Sequence, residues 1–186
     1  MDQKIKVKNR SIDLNNLYET HLSIQLSLNG FSFCVLDKTY DLVQKLVHHP
    51  FKDAAAGPED LLARIQIIFV KETLLQQKYG SVNVSHVNEL SSLVPKPFFD
   101  ESKLKDYIRY SSKTFDNDYI VWDEIENHDL INVYIPFVNV NNFLLERFGS
   151  FEYKHFSTVL ITNLLSTYRY SEHPHIFIHV DRNRMY

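Results

Sequence analysis

Between Leu22 and Phe33 the chain reads LSIQLSLNGFSF, with apolar and polar residues alternating up to Asn29-Gly30 and resuming beyond it. Side chains of a strand alternate faces, so Leu22, Ile24, Leu26 and Leu28 point one way and Ser23, Gln25 and Ser27 the other. An Asn-Gly pair favours a type I′ turn, which requires positive φ at both central residues. Phe31, Phe33 and Val35 then carry the apolar face back along a second strand. A third strand is expected over Tyr40 to Val47, ended by His48-His49-Pro50.

The period then changes. GPEDLLARIQIIFVKETLLQQKYG predicts the longest helix, with Pro58 at its first position, Glu59 and Asp60 on the positive end of the dipole and Gly80 as its stop. Leu61, Ile65, Ile68, Phe69 and Leu75 recur at helical spacing and should pack on the sheet. A strand at about Ser81 to Val87, a link LVPKPFF bracketed by prolines, and a short helix opened by Asp100 follow. That short helix carries Leu104, Tyr107 and Ile108 on one face. DYIVWDEI and LINVYIP predict two more strands, separated by the turn-forming Asn127-His128-Asp129.

The remainder alternates between the two periods: helix Val140 to Phe148 closed by Gly149, strand Ser150 to Lys154, helix Ser157 to about Tyr168, strand His175 to Asp181. Such alternation marks an α/β layer. Ser157 is placed to cap its helix, with Phe156 and Ile161 forming a hydrophobic staple across the cap. A faint internal repeat pairs SIQLSLNGF with FIHVDRNRM, matching Ile24 with Ile178, Gln25 with His179, Leu26 with Val180 and Asn29 with Asn183.

Composition narrows the function classes. The 186 residues suffice for one substantial domain or two small lobes with a real core. A net charge of -3 does not supply the basic surface that a phosphate backbone demands, so nucleic acid is not an expected partner. No stretch approaches the roughly 18 apolar residues of a membrane span, and the polar start lacks the core of a signal peptide. Cys34, the only cysteine, sits in an apolar strand and reads as an inert thiol in a reducing compartment, so a cytoplasmic protein is expected. The glycosylation pattern at Asn83-Val84-Ser85 then has no enzyme to act on it.

The order of elements resembles the first lobe of the actin-like ATPase superfold, which is ribonuclease H-like, and most closely its pilus-assembly and secretion-platform branch. LINVYIPFVNVNNFLLERFGSFEYKHFSTVLITNLL resembles that branch's strand, helix, strand and helix before a second phosphate hairpin. LSIQLSLNGFSFCVLD followed by LVPKPFFDESKLKDYI is similar to a bacterial family of unknown function. The resemblance implies an α/β fold with a mixed sheet and helices, carrying an inserted α+β subdomain. Residues 1–16 are then a flexible tail and 17–186 the lobe, with about 80–127 as the insert and 175–186 starting a second lobe.

Working members of that superfold hold ATP between two hairpins, each with an Asp on its strand and glycines in its turn. Here Gln25 stands at the first Asp position and Ser27 at its glycine position, with Asn29 in the turn. His179 stands at the second Asp position, and Asp181, Arg182 and Asn183 replace glycines. A neutral amide does not replace a carboxylate beside a metal ion, and bulky side chains block the close backbone approach that glycine permits. The cleft positions Gln25, Ser27, Asn29, His179, Asp181 and Asn183 therefore imply a degenerate nucleotide site, with no cofactor, no catalytic residue and no resident metal.

Other constellations are weaker. His175 and His179 share a strand face near His173, yet Phe177 stands between them and no acid cluster completes a metal set. WDEIENHD gathers Asp123, Glu124, Glu126 and Asp129, but Asp123 opposes Glu124 and Glu126, and a solvated hairpin edge is the expectation. The reading is a non-catalytic scaffold or partner-binding protein. The alternative is a nucleotide-binding switch or ATPase completed by a second lobe. Ile176, Ile178 and Val180 give the C-terminal strand an apolar face, so its edge is the expected place for a protein partner or self-association.

Overall fold

The computed structural model describes residues 18–109, 114–115, 117–126, 128–168, 173, 175–181 and 184–185. Three strands open it, β1 (Thr20–Ser27), β2 (Gly30–Asp37) and β3 (Leu42–Pro50), followed by α1 (Pro58–Lys71) and β4 (Ser81–Val87). β5 (Ser91–Pro95), α2 (Leu104–Ile108), β6 (Val121–Ile125) and β7 (Leu130–Tyr134) come next. α3 (Val138–Phe148), β8 (Glu152–His155), α4 (Phe156–Thr167), β9 (Val180–Asp181) and β10 (Arg184–Met185) complete the order.

Five strands form the large mixed sheet in the order β3-β2-β1-β4-β8. β1 to β3 run as an antiparallel meander, and β1, β4 and β8 run parallel. A three-stranded antiparallel sheet, β5-β7-β6, is built wholly from the chain between β4 and α3. Ser81–Val87 thus belongs to the large sheet through β1, and Leu130–Tyr134 to the small one.

The alternation in the opening stretch is the face assignment. Leu22, Ile24, Leu26, Phe31, Phe33 and Val35 are buried against Leu61, Ile65 and Phe69 of α1 and Val140 and Leu144 of α3. The Phe69 ring lies 5.0 Å from Phe143 and 5.9 Å from both Phe31 and Phe148, at the separations aromatic pairs prefer. A second cluster of Val94, Ile108, Ile131 and Val133 joins α2 to the small sheet.

Several local expectations are corrected. The register pairs Ser27 with Gly30, so Leu28-Asn29 is the centre of the turn, and among the described residues only Asp41 and Gly149 lie in the left-handed region of φ. The turn is therefore not type I′. Gly30 serves close packing instead, since a Cβ there would lie 2.9 Å from the His49 carbonyl oxygen. His48, His49 and Pro50 continue β3 rather than end it, because an edge strand tolerates a proline on its open side.

Helix α1 stops at Lys71, well before Gly80. Glu72 turns extended, a 3₁₀ turn at Thr73–Gln76 follows, and the Gln76 amide donates to the carbonyls of Phe69 and Val70 at 3.2 and 3.1 Å. The turn still delivers Leu75 to the core. Leu93 to Pro95, read from sequence as the start of a link, belong to an edge strand, Ser91–Pro95, with its proline at the end. Gly149 does end α3, with φ +76. α4 is capped by His155 and not by Ser157: the imidazole Nδ1 accepts from the Ser157 N–H at 3.2 Å.

The expected strand His175 to Asp181 is reduced to Val180–Asp181, paired with Arg184–Met185 among the described residues. Phe177, Ile178 and His179 instead line an apolar groove against Phe156, Leu160 and Leu164 of α4. The proposed repeat therefore matches an eight-residue strand to a two-residue one, and its Asn183 lies outside the described residues. The turn residue Asn127 lies outside them as well.

Candidate functional site

The cleft positions on the opening hairpin follow from the β1 alternation. Gln25 is exposed on the polar face, opposite Ser32 of β2 and Ser85 of β4. Ser27 closes β1, and its hydroxyl accepts from the Asn29 N–H at 3.0 Å. The carbonyls of Leu28 and Asn29 accept from the Ala55 and Phe51 N–H groups at 2.7 and 2.9 Å. The turn is thus stitched to the segment between β3 and α1.

The other cleft positions stand apart. His179 is half-buried, with its ring 5.0 Å from Phe156 at the start of α4. Asp181 pairs with Arg184 in the two-stranded ladder, which joins neither sheet among the described residues, and Asn183 lies outside them. Gln25, Ser27 and Asn29 are therefore grouped, and among the described residues neither His179 nor Asp181 joins that sheet.

The register extends the polar face of β1 across the whole sheet. One cross-strand row runs His48, Ser32, Gln25, Ser85, Lys154, and the next runs Leu46, Cys34, Ser23, Asn83, Glu152. The Ser32 hydroxyl and His48 Nδ1 are 2.8 Å apart. β4 is flanked on both sides, a setting where both faces of a parallel strand are usually apolar, yet it presents Asn83 and Ser85 to one side. Part of α4 overhangs this face and borders an open cavity of about 310 Å³, with Tyr153 and Val159 among its apolar walls. Ser85 borders it through other atoms, while its Oγ is shut off from water and has no hydrogen-bond partner.

A third group was missed by sequence reasoning. Asp123, Asn132, Tyr134, His155 and Thr158 are buried together where the small sheet meets β8 and α4. The Asp123 carboxylate accepts from the His155 N–H at 2.8 Å and from the Tyr134 hydroxyl at 3.1 Å. Asn132 Nδ2 donates to Thr158 Oγ1 at 2.9 Å. Because His155 Nδ1 accepts from Ser157, its proton sits on Nε2, 3.2 Å from the Asn88 carbonyl oxygen. Asp123 is therefore no solvated acid of a hairpin edge, although Glu124 beside it is exposed and paired with Lys96. The alternation separated the two acids correctly, but nothing local reveals which face meets His155.

Burial sets the titration of this group. It pushes the Asp123 carboxyl up from its ordinary value, against the His155 N–H and the Thr158 and Tyr134 hydroxyls, which favour the charged form. Burial also raises Tyr134, with the Asp123 charge adding to it. His155 is lowered from 6.5 to about 4 by burial, opposed by its bond to the Asn88 backbone. His86, whose Nδ1 accepts from the Phe137 N–H at 3.2 Å, is likewise lowered by burial to about 4, with Asn141 beside it acting the other way.

Among the described residues, no three His, Cys, Asp or Glu side chains gather as a metal site, and no helix is long and apolar enough to cross a membrane. Half-buried Cys34 has its thiol pushed up by burial, the direction of an unreactive group.

These features can be set beside known proteins. A crystal structure from Bacteroides thetaiotaomicron, of a protein with actin-like ATPase fold and unknown function, superposes with a TM-score of 0.75 at 22% identity. The match covers 87% of this chain and 61% of that one, so this chain spans about three-fifths of that structure's length. The likeness establishes an actin-like fold. The cytoplasmic domain of EpsL, an inner membrane component of the type II secretion system of Vibrio cholerae, matches at 16% identity over 73% of this chain and 55% of its own, with a TM-score of 0.37. That superposition is too loose to build on. No curated protein matches the sequence. A family model described as a protein of unknown function, DUF3822, matches residues 9–186, and the chain belongs to that family.

Proposed function

We propose that this chain is a non-catalytic scaffold or partner-binding protein of the bacterial cytoplasm, built on an actin-like lobe whose nucleotide site is degenerate. The observation that carries this reading is the β1–β2 turn. Its Leu28 and Asn29 carbonyls and its Asn29 N–H are already bonded within the chain, and the neighbouring strand offers Gln25 where the resembled site needs a carboxylate. A phosphate cradle needs free, convergent N–H groups, and a metal-bound phosphate needs an anionic ligand. Residues of about 80–127 contribute an inserted α+β subdomain in this reading, and 175–186 start a second lobe. Calorimetry with magnesium and ATP should give no binding heat. Micromolar binding would overturn the reading in favour of a nucleotide switch, for which the greater length of the actin-like neighbour leaves room.

The partner surface in this reading is the C-terminal tract. Ile176 and Ile178 are 90% and 65% exposed beside the apolar α4, a hydrophobic surface that no other described residue covers. Self-association through this surface should appear in sedimentation as a concentration-dependent dimer. The double substitution Ile176→Lys and Ile178→Lys should abolish it without disturbing the core. A chain that stays monomeric at high concentration in both forms defeats this assignment.

A further inference from the structure

We propose that His155 is a proton-sensitive helix cap whose release in acid lifts the first turn of α4, and with it one wall of the apolar groove, away from the small sheet. A helix leaves its first N–H groups without partners inside the helix, and a serine, threonine, aspartate or asparagine side chain usually accepts from one of them. α4 uses an imidazole instead. His155 Nδ1 accepts from the Ser157 N–H at 3.2 Å and faces the Asn132 amide nitrogen at 3.3 Å, so its one lone pair points between two donors. Its Nε2 proton meets the Asn88 carbonyl oxygen at 3.2 Å, which fixes the tautomer. A proton added at Nδ1 therefore lands where both donors already point. A cap built on a hydroxyl or a neutral amide has no such event.

The surroundings add to this refusal. The ring is buried, and a charge on it would face the positive end of the α4 dipole. From β6, the Asp123 carboxylate holds the His155 backbone N–H and would attract an imidazolium, but burial pushes that carboxyl toward its neutral form. From β7, the Tyr134 ring lies 5.3 Å away. From β4, His86 is the cross-strand neighbour, and a charge on either ring disfavours one on the other. Tyr153 shares the His155 side of β8, while Glu152, Lys154 and, beside Asn88, Glu89 are exposed. α4 brings no titratable side chain from Phe156 to Thr167, and His179 lies against Phe156 on the groove side. Asn132 holds a spare acceptor: its Oδ1 is buried without a hydrogen-bond partner, and a half-turn of the amide would present it to a proton on Nδ1. The Ser157 N–H then loses its acceptor at the cap. The turn that opens carries Phe156 and Ser157, which line the groove with Phe177 and Ile178. This inference stands apart from the partner reading, since it requires nothing of what the groove binds.

The test is amide hydrogen exchange and imidazole ¹⁵N NMR on the full chain between pH 7 and 5, with protection taken relative to an unfolded chain at the same pH. At pH 7 the His155 ring should carry its proton on Nε2. The Ser157 amide should be less protected than that of Phe33 in β2, because the first turn of α4 opens without unfolding the sheet. Ser157 protection should fall about twentyfold from pH 7 to 5, since an opened ring titrates near 6.5 and the closed one at about 4. His155→Asn keeps an acceptor at the cap and removes its titration, so Ser157 should lose most of this pH dependence. The proposal is overturned by a proton on Nδ1 at pH 7, by Ser157 protection equal to that of Phe33, or by a fall of less than about threefold. An equal fall in His155→Asn overturns it too. The first three results are read on the unaltered chain, so they decide the matter even where the variant misfolds.

Discussion

The two buried regions of this molecule are closed in opposite ways. Beneath α1 and α3, the large sheet meets its helices chiefly through Leu, Ile, Val and Phe side chains, with Phe69 touching three other rings. Where the small sheet meets β8 and α4, the closure is made by Asp123, Asn132, Tyr134, His155 and Thr158, joined by directional hydrogen bonds. Hydrophobic closure is strong and tolerant of small shifts, because it scales with area and not with angle. A hydrogen-bonded closure contributes less net free energy but fixes orientation, and it penalises the loss of any member by leaving another buried and unpaired. The first region therefore holds the lobe together, and the second sets how the small sheet sits on it.

The largest expected effect breaks the apolar side. Phe31 is fully buried and touches both Phe33 and Phe69, so Phe31→Ala should lower stability by about 3–5 kcal/mol in urea unfolding, as lost transfer energy and a residual cavity add. Asp123→Ala comes next. It leaves the His155 N–H and the Tyr134 hydroxyl without their acceptor, at about 1–3 kcal/mol for each group that finds no substitute. A larger loss at Asp123 than at Phe31 would reverse the ranking of the two regions.

Acid sharpens the contrast, because His155 lies inside the polar region and His86 is its cross-strand neighbour on β4. His86 and His155 have folded values of about 4 against 6.5 unfolded. Below pH 6.5 the unfolded chain takes up protons that the folded chain refuses, so stability is complete above that value and drains away as pH falls toward 4. Each histidine contributes a slope of up to about 1.4 kcal/mol per pH unit in this window. Half-buried His21, also lowered by burial, acts in the same direction. Asp123 opposes them: its raised folded value means that the folded state binds its proton first, which offsets part of the loss near the acid end. The urea midpoint should fall steadily between pH 6.5 and 4, and His86→Phe should flatten the curve. Phe31→Ala should shift the curve down without changing its shape. Equal slopes in wild type and His86→Phe would show that this ring is not held neutral by burial.

Much of the fold was legible because it follows local periods. The two-residue alternation of β1 and β2 fixed which side of each strand is buried, and Gly149 marked the end of α3. The failures occur where a distant partner decides. α1 ends early because Gln76 folds back on its carbonyls, and β5 exists because Leu130–Tyr134 lies beside it. A proline reads as a breaker in sequence, but at Pro50 and Pro95 the strand edge leaves room for it. The polar face of β1 was visible as Ser23, Gln25 and Ser27, yet its continuation through Ser32, Ser85 and Lys154 depends on register, which no single strand contains. Asp123 and His155 are 32 residues apart, and neither carries a local sign of the other.

The smallest effect is also the closest control, because it separates two acids that adjoin on β6. Glu124 points to solvent and pairs with Lys96, which it holds above its ordinary pKa through that hydrogen bond. Both side chains are more than two-fifths exposed, so water and salt screen the pair and its side chains surrender rotamer freedom to make it. Glu124→Gln and Asp123→Asn each exchange one carboxylate for an amide, one residue apart on the same strand. Only Asp123→Asn disturbs buried donors, since the single amide oxygen can accept from the His155 N–H or the Tyr134 hydroxyl but not both, and keeping the first makes the tyrosine give up its bond or turn to accept from the NH₂ half. Glu124→Gln should leave the urea midpoint unchanged within error at moderate salt, while Asp123→Asn lowers it clearly. Equal losses from the two substitutions would mean that removing negative charge from β6, and not burial and bonding at Asp123, sets the cost, and the distinction between the two regions would then fail at its nearest pair of residues.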